Sequence, residues 1–383
     1  MLYFDYCATT PLDEQVADLI SRVNREVFGN PSSIHRFGQD ARGCVETARR
    51  QLAQAIGCGP SEIVFTASGS EANNLALRNV VYGEKRHVIS STVEHPSVGK
   101  TLADLETFGV TSTLLQVDST GRIDPRQVAH AIRKDTVLVA IMLANNEVGT
   151  VEPITEIAAL CREAGIPLHS DGVQALGKIP VDVKELDVTT MSFSAHKLYG
   201  PKGVGALYVK EGTALHPLVS GGSQEQRRRA GTENISGIAG FGLAAQLATG
   251  SVQEEGERLE ALAKTFVDRL RMNIPGLVIN GHPRHHLPGV MSITFPGVPA
   301  EDLLMNLDLD GFAVSTGAAC SSGTPKPSPV LQAMGIPDHL NRQTLRISFG
   351  RYTREGDTHR LAETLVKHVM ALKGTQKTLA VSP

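Results

Sequence analysis

Residues 192–203 read SFSAHKLYGPKG and place Lys197 just after Ser194 and His196, three residues before a glycine–proline turn. A lysine so placed has two readings: a surface cation on a loop, or an amine reserved for covalent chemistry with a carbonyl. Other polar groups that end apolar runs bear on the choice. After EIVF comes Thr66-Ala67-Ser68-Gly69-Ser70-Glu71, which opens the helical stretch EANNLALRNV. Glycine and hydroxyls at a helix N-terminus make an anion cradle from main-chain N–H groups and the helix dipole. His95 follows HVISSTVE, Asn145 and Asn146 follow VAIML, and Asp171 and Gln174 follow IPLHS. Each alone also reads as a cap, a turn or a satisfied core group. Together they supply an anion cradle, an acid, an amide, an imidazole and a lysine.

The elements that must position these groups alternate in type. EIVFTAS (62–68), RHVIS (86–90), TSTLLQVD (111–118), TVLVAIML (136–143), IPLHSD (166–171), VTTMSFS (188–194) and VGALYV (204–209) read as strands. Asp124 and Pro125 start a helix expected to run through Arg133. In ITEIAALCREAG, Ile154, Ile157, Ala158 and Cys161 share one face and Gly165 is the stop. Alternating strands and helices with near-continuous apolar strands predict a mainly parallel sheet covered on both faces, an α/β fold. In such sheets ligands sit outside the carboxyl ends of the strands, where these polar groups fall.

From Ser251 the pattern changes to a long helix (252–272), GVMSITFP, EDLLMNLD, the strand TLRISFG and a last helix from Thr358 to Lys373. The expected organisation is an N-terminal segment (1–14) packing with a smaller domain, a large α/β domain (15–250) and a small α+β domain (251–383). The last ten residues are expected to fray.

Bulk properties narrow the function. With 20% charged residues and a net charge of −3 over 383 residues, no polyelectrolyte partner is indicated, and direct nucleic-acid binding is not expected. The triplet Arg227-Arg228-Arg229 is too short for a basic stripe. Cys7, Cys44, Cys58, Cys161 and Cys320 form no C-x-x-C pair. That argues for a reducing compartment, and a cytoplasmic location is expected. No apolar run approaches the roughly 20 residues of a membrane span. HPRHH (282–286) reads as a proline-bounded surface loop, and no metal site is expected.

The strand-end set fits pyridoxal phosphate, which needs a lysine for covalent attachment, an acid for its ring nitrogen and donors for its phosphate. A run of longer motifs sharpens this. DYCATTPLD, FGNPSSIHRFG, EHPSV, NNEVGTVEPI, HSDGVQALGKIPVDV, SFSAHKLYGPKGVGALYV, RRAGTEN, STGAACSSG and LRISFGR occur in that order nearly end to end. In them the chain resembles the NifS/IscS-type cysteine desulfurases, in the class V branch of the fold-type I pyridoxal-phosphate enzymes. The resemblance implies that Lys197 binds the cofactor aldehyde, Asp171 pairs with its ring nitrogen, Gln174 with its phenolic oxygen, and His95 stacks on its face. It implies Gly69, Ser70, Ser194 and His196 for the phosphate. Thr232 would reach it from a partner subunit, so a homodimer is implied. Asn146 and Arg346 would hold the carboxylate of L-cysteine, Arg346 by a bidentate fork.

Cys320 lies in STGAACSSGTPKPSP, rich in Gly, Ser and Pro and without periodicity, where a core role fits poorly; Cys44 and Cys161 suit that role better. In the family this loop carries the persulfide. The implied catalytic residues are therefore Cys320, Lys197 and His95, and the implied partner is a protein that accepts sulfur. Iron–sulfur assembly, tRNA thiolation and DNA phosphorothioation are its possible destinations.

Several positions depart from the family pattern: Ser70 replaces a threonine in the phosphate turn, and Ser223, Gln226 and Arg227 stand where it has Gly, Arg and Gly. Rival readings are another class V activity, selenocysteine lyase or aminotransferase, and a serine hydrolase built on the S-x-x-K spacing of Ser194 and Lys197. A hydrolase would need that motif to open a helix. Cys320 favours desulfuration.

Overall fold

The computed structural model describes residues 1–317 and 327–380, with only the backbone of 375–380. The sequence expectation for Cys320 therefore falls outside the described residues.

The described residues form twelve strands, in chain order β1 (Leu2–Tyr3), β2 (Ile63–Thr66), β3 (His87–Ser91), β4 (Thr111–Leu115), β5 (Thr136–Ala140), β6 (Leu168–Asp171), β7 (Thr190–Ser194), β8 (Gly205–Val209), β9 (Val278–Asn280), β10 (Val290–Thr294), β11 (Phe312–Ala313) and β12 (Thr344–Ser348). The large sheet runs β2-β8-β7-β6-β5-β3-β4. Its β7-β6-β5-β3-β4 pairings are parallel, while β8 is antiparallel to both β2 and β7. Strands β2, β3, β6, β7 and β8 are buried along their length, whereas β4, at an edge, alternates partly exposed positions. Buried strands need covering helices on both faces, and the chain supplies them between strands.

Local chemistry sets these helices. Asp124 accepts a hydrogen bond from Arg126 N and caps the helix Pro125–Ala131, two residues shorter than the expected end at Arg133. Helix Ile154–Ala164 stops at Gly165, whose φ of 66° is the left-handed conformation that glycine adopts without strain. Helix Ile235–Thr249 is apolar on all sides and packs on helix Arg36–Ala55. A Cβ on Gly242 would lie 2.5 Å from the Ala48 Cα, so that close crossing requires glycine.

A second core gathers Phe266, Phe295, Leu303, Leu345 and Leu365 around the antiparallel β12-β10-β9 sheet. Helices Val252–Asn273 and Glu355–Ala380 cover it; the second runs well past Lys373, so its backbone stays helical where fraying was expected. The first residues belong to this core too. Strand β1 pairs in parallel with β11, Phe4 is buried in the cluster, and Asp5 bridges to Ser348. The chain then crosses to the large sheet, where Thr10 N donates to the His196 carbonyl at 2.9 Å.

Candidate active site

A cavity of about 370 Å³ opens at the carboxyl ends of the parallel strands. Gly69, Ser70, His95, Asn146, Asp171, Gln174, Ser194, His196, Lys197 and Arg346 all line it. Ten residues from six separate stretches of sequence thus meet at one place: nine follow or end strands of the large sheet that point the same way, and Arg346 comes from β12 of the smaller sheet.

Lys197 ends a single 3-10 turn, Ala195–Lys197, directly after β7. Its Nζ donates to the carbonyl oxygens of Cys7 and Ala8, each at 2.7 Å. Burial lowers its pKa to about 8, with the cation of Lys178 pushing in the same direction. An amine poised there is neutral for a sizeable fraction of the time near neutral pH, as a nucleophile must be. Ser194 is the last residue of a strand and no helix begins at it, so the hydrolase arrangement lacks its element.

Asp171 ends β6. Its Oδ1 accepts from Val173 N at 2.9 Å and its Oδ2 from Asn73 Nδ2 at 2.7 Å. Gln174 spends both ends of its amide: Nε2 donates to the Cys7 carbonyl at 2.9 Å and Oε1 accepts from Lys178 Nζ at 2.5 Å. His95 caps helix Pro96–Leu105, its Nδ1 accepting from Ser97 N at 3.1 Å. Burial lowers its pKa, opposed by the Asp171 carboxylate and assisted by Lys197. The turn that carries it is tied down by Glu94, which accepts from Ser91 Oγ at 2.7 Å and Met142 N at 3.0 Å. Desolvation in this partly buried turn raises the Glu94 carboxyl to about 8.

At the anion cradle, Ser68 caps helix Gly69–Arg78 by accepting from Glu71 N. A Cβ on Gly69 would meet Val173 Cγ2 at 2.6 Å, so the helix starts against the cavity wall only because that residue is glycine. His196 pairs its Nδ1 with Thr9 Oγ1 at 3.1 Å, and burial followed by Lys197 lowers its pKa to about 4.

Arg346, in β12, reaches the cavity from the second core. Nη1 donates to the Asn146 carbonyl at 2.9 Å and Nη2 to Asp5 Oδ1 at 2.7 Å, while its buried Nε has no hydrogen-bond partner among the described residues. Gly317 lines the same cavity, three residues before Cys320. Glu147 touches both flanks of the undescribed segment: it accepts from Ser328 Oγ at 2.5 Å, and a Cβ on Gly317 would lie 3.0 Å from its Oε2.

Thr232 is the one described candidate that the fold leaves out of this cavity. It is exposed and lines a separate hollow with Gly203, Glu225 and Arg229. The loop leading to it keeps a glycine-type conformation without the glycine: Glu225, Gln226 and Arg227 have φ of 46°, 57° and 66°, and Arg227 stands where glycine was expected. The buried Glu225 carboxylate secures the loop by accepting from both Arg49 Nη atoms, at 2.7 and 2.8 Å, and from Phe65 N at 2.8 Å.

The residues present fit pyridoxal phosphate: a partly neutralised lysine, a carboxylate with both oxygens aligned by N–H donors, and a glycine-walled helix N-terminus share one cavity. Sequence reasoning missed Cys7, Asn73, Ser97 and Lys178, which line the cavity or hold its lining. One signal was available for Asn73: it lies four residues after Gly69, on the helix face that also buries Ala72 and Ala76.

Comparison with known proteins agrees with the geometry. The family model for aminotransferase class-V matches residues 2–361. A cysteine desulfurase IscS from Dictyoglomus turgidum is 44% identical over 375 residues, 97% of this chain and 95% of the relative. A solved NifS-like protein superimposes with a TM-score of 0.91 at 34% identity, covering 96% of this chain and 99% of that one. The structure of SspA in complex with cysteine matches with a TM-score of 0.81 and 35% identity, covering 92% and 100%. By sequence, fold and the groups gathered at its strand ends, this chain belongs to the aminotransferase class-V family, among its cysteine desulfurases.

Proposed function

We propose that the protein takes sulfur from L-cysteine, leaving L-alanine, and stores it on Cys320 as a persulfide for transfer to an acceptor protein. The observation that carries this reading is the meeting of Lys197, Asp171 and Arg346 on one cavity that Gly317, just ahead of Cys320, also lines. Pyridoxal phosphate, when bound, supplies the electron sink that makes the substrate Cα–H acidic.

The chain's own groups do the rest. Lys197 would hold the cofactor through its amine, with Asp171 at the ring nitrogen, Gln174 at the phenolic oxygen and His95 on the ring face. Gly69, Ser70, Ser194 and His196 would hold the phosphate, joined by Thr232 from the partner in a homodimer. Arg346 and Asn146 orient the substrate carboxylate, Arg346 being steadied by Asp5. Lys197 Nζ, once released, takes the Cα proton. The Cys320 thiolate attacks the substrate sulfur; the Cβ–S bond breaks, an S–S bond forms, and Cβ gains a proton. The balance is L-cysteine plus thiol giving L-alanine plus persulfide.

The relative solved as SspA with cysteine supports the substrate. The destination of the sulfur is proposed to be one of three: iron–sulfur assembly, tRNA thiolation or DNA phosphorothioation, in the cytoplasm. The test is product analysis of the cofactor-loaded protein with L-cysteine and a reductant. Alanine and sulfide in equal amounts support the reading, and their absence with wild type or persistence with Lys197→Ala refutes it.

A further inference from the structure

Behind the cavity wall runs a chain of hydrogen bonds that none of the roles above uses. His169 Nδ1 meets Thr190 Oγ1 at 2.9 Å, and its Nε2 meets Asn73 Oδ1 at 3.0 Å. Asn73 Nδ2 donates twice, to Asp171 Oδ2 at 2.7 Å and to Ser97 Oγ at 2.9 Å. Ser97 Oγ lies 2.8 Å from His95 Nδ1. His169 and Asn73 are buried.

The direction of each bond follows from the donor inventory. The Asp171 carboxylate can only accept, so the neighbouring end of Asn73 must be its NH₂. The amide oxygen then faces His169, whose Nε2 must carry a proton, and Thr190 donates to the other ring nitrogen. The Ser97 N–H donates to His95 Nδ1, which marks that nitrogen as a lone-pair acceptor, so the Ser97 hydroxyl, itself accepting the second N–H of Asn73, turns its single hydrogen onto His95. There Nδ1 receives two donors, Ser97 Oγ–H and, at 3.1 Å, Ser97 N–H. No room is left for a proton on that nitrogen.

We propose that Asn73 and Ser97 are positioning residues that transmit the charge of Asp171 to His95 and fix its neutral tautomer with the proton on Nε2. His95 thereby serves the reaction proposed above as a hydrogen-bond donor through Nε2–H rather than as a base, and the carboxylate that faces the cofactor ring also sets the state of the imidazole. This rests on the desulfurase reading for the use of the proton, but the tautomer itself does not.

The test is ¹⁵N NMR of histidine-labelled, cofactor-loaded protein, with His95 assigned by His95→Gln. Wild type should show His95 Nδ1 unprotonated and Nε2 protonated. In Asn73→Asp the carboxyl oxygen that replaces Nδ2 shares a proton with Asp171 Oδ2 and accepts the Ser97 hydroxyl hydrogen, so the His95 proton should redistribute toward Nδ1. Turnover of L-cysteine should fall on the order of tenfold in kcat with KM little changed. Ser97→Ala should lower kcat similarly and Ser97→Thr, which keeps the hydroxyl, should restore it; this pair serves if the Asn73 variant does not fold. A wild-type His95 protonated on Nδ1, or Ser97→Thr no better than Ser97→Ala, overturns the proposal. Failure of the functional reading would look different: no turnover by wild type, whatever the tautomer.

Discussion

Lys197 Nζ lies 2.7 Å from the main-chain oxygen of Cys7, so the active amine is held by a segment whose preceding residues are built into the second core. The same Cys7 oxygen also receives Gln174 Nε2, and Gln174 is in turn gripped by the half-buried Lys178. Two amines therefore share one buried neighbourhood, and the charge of Lys178 makes a cation at Lys197 costly. Removing that charge in Lys178→Met should raise the Lys197 pKa from about 8. Loading of pyridoxal phosphate onto apoprotein needs the neutral amine, whose fraction grows as pH rises through that pKa. The midpoint of loading rate against pH should accordingly move upward in the variant; an unchanged or lower midpoint would show that Lys178 does not act on Lys197.

The loop before Thr232 offers a test of stability. Arg49 and Glu225 are both buried, and removing one partner leaves the other charge without compensation. Arg49→Met is expected to cost about 3–5 kcal/mol in denaturant unfolding. Arg227, at φ 66°, carries the conformational cost of a left-handed residue with a Cβ. Arg227→Gly should therefore gain about 1 kcal/mol. A neutral Arg49→Met or a destabilising Arg227→Gly would contradict this account of the loop.

Arg346 presents a planar fork fixed on one side by Asp5 and the Asn146 carbonyl, with its Nε unpartnered among the described residues. Lysine keeps the charge but cannot reproduce the fork. Arg346→Lys is expected to raise KM for L-cysteine on the order of tenfold or more, with a smaller change in kcat. A change confined to kcat would assign Arg346 a different role.

Much of this was legible in the residues. Each of the seven expected strands exists, because buried parallel strands demand near-continuous apolar runs. Some end earlier than the apolar run does: TVLVAIML predicts 136–143, yet β5 closes at Ala140, and Ile141, Met142 and Leu143 line the buried path toward Asn145 instead. The polar groups at the strand ends were visible as a set for the same topological reason. Asn73, Ser97 and Lys178 were not, because each acts through another side chain brought near by tertiary packing; the Asn73–Asp171 bond joins positions 98 residues apart. The left-handed run Glu225–Arg227 was equally hidden, since none of its residues is one that favours that conformation.

The central claim is that sulfur leaves L-cysteine onto Cys320. A single turnover of the cofactor-loaded protein without reductant, followed by mass spectrometry of the Cys320 peptide and alanine analysis, tests it most directly. The account predicts one added sulfur on that peptide for each alanine released in wild type, and neither product in Cys320→Ser. Alanine released by Cys320→Ser at the wild-type rate, or wild-type alanine with no sulfur on Cys320, would contradict it.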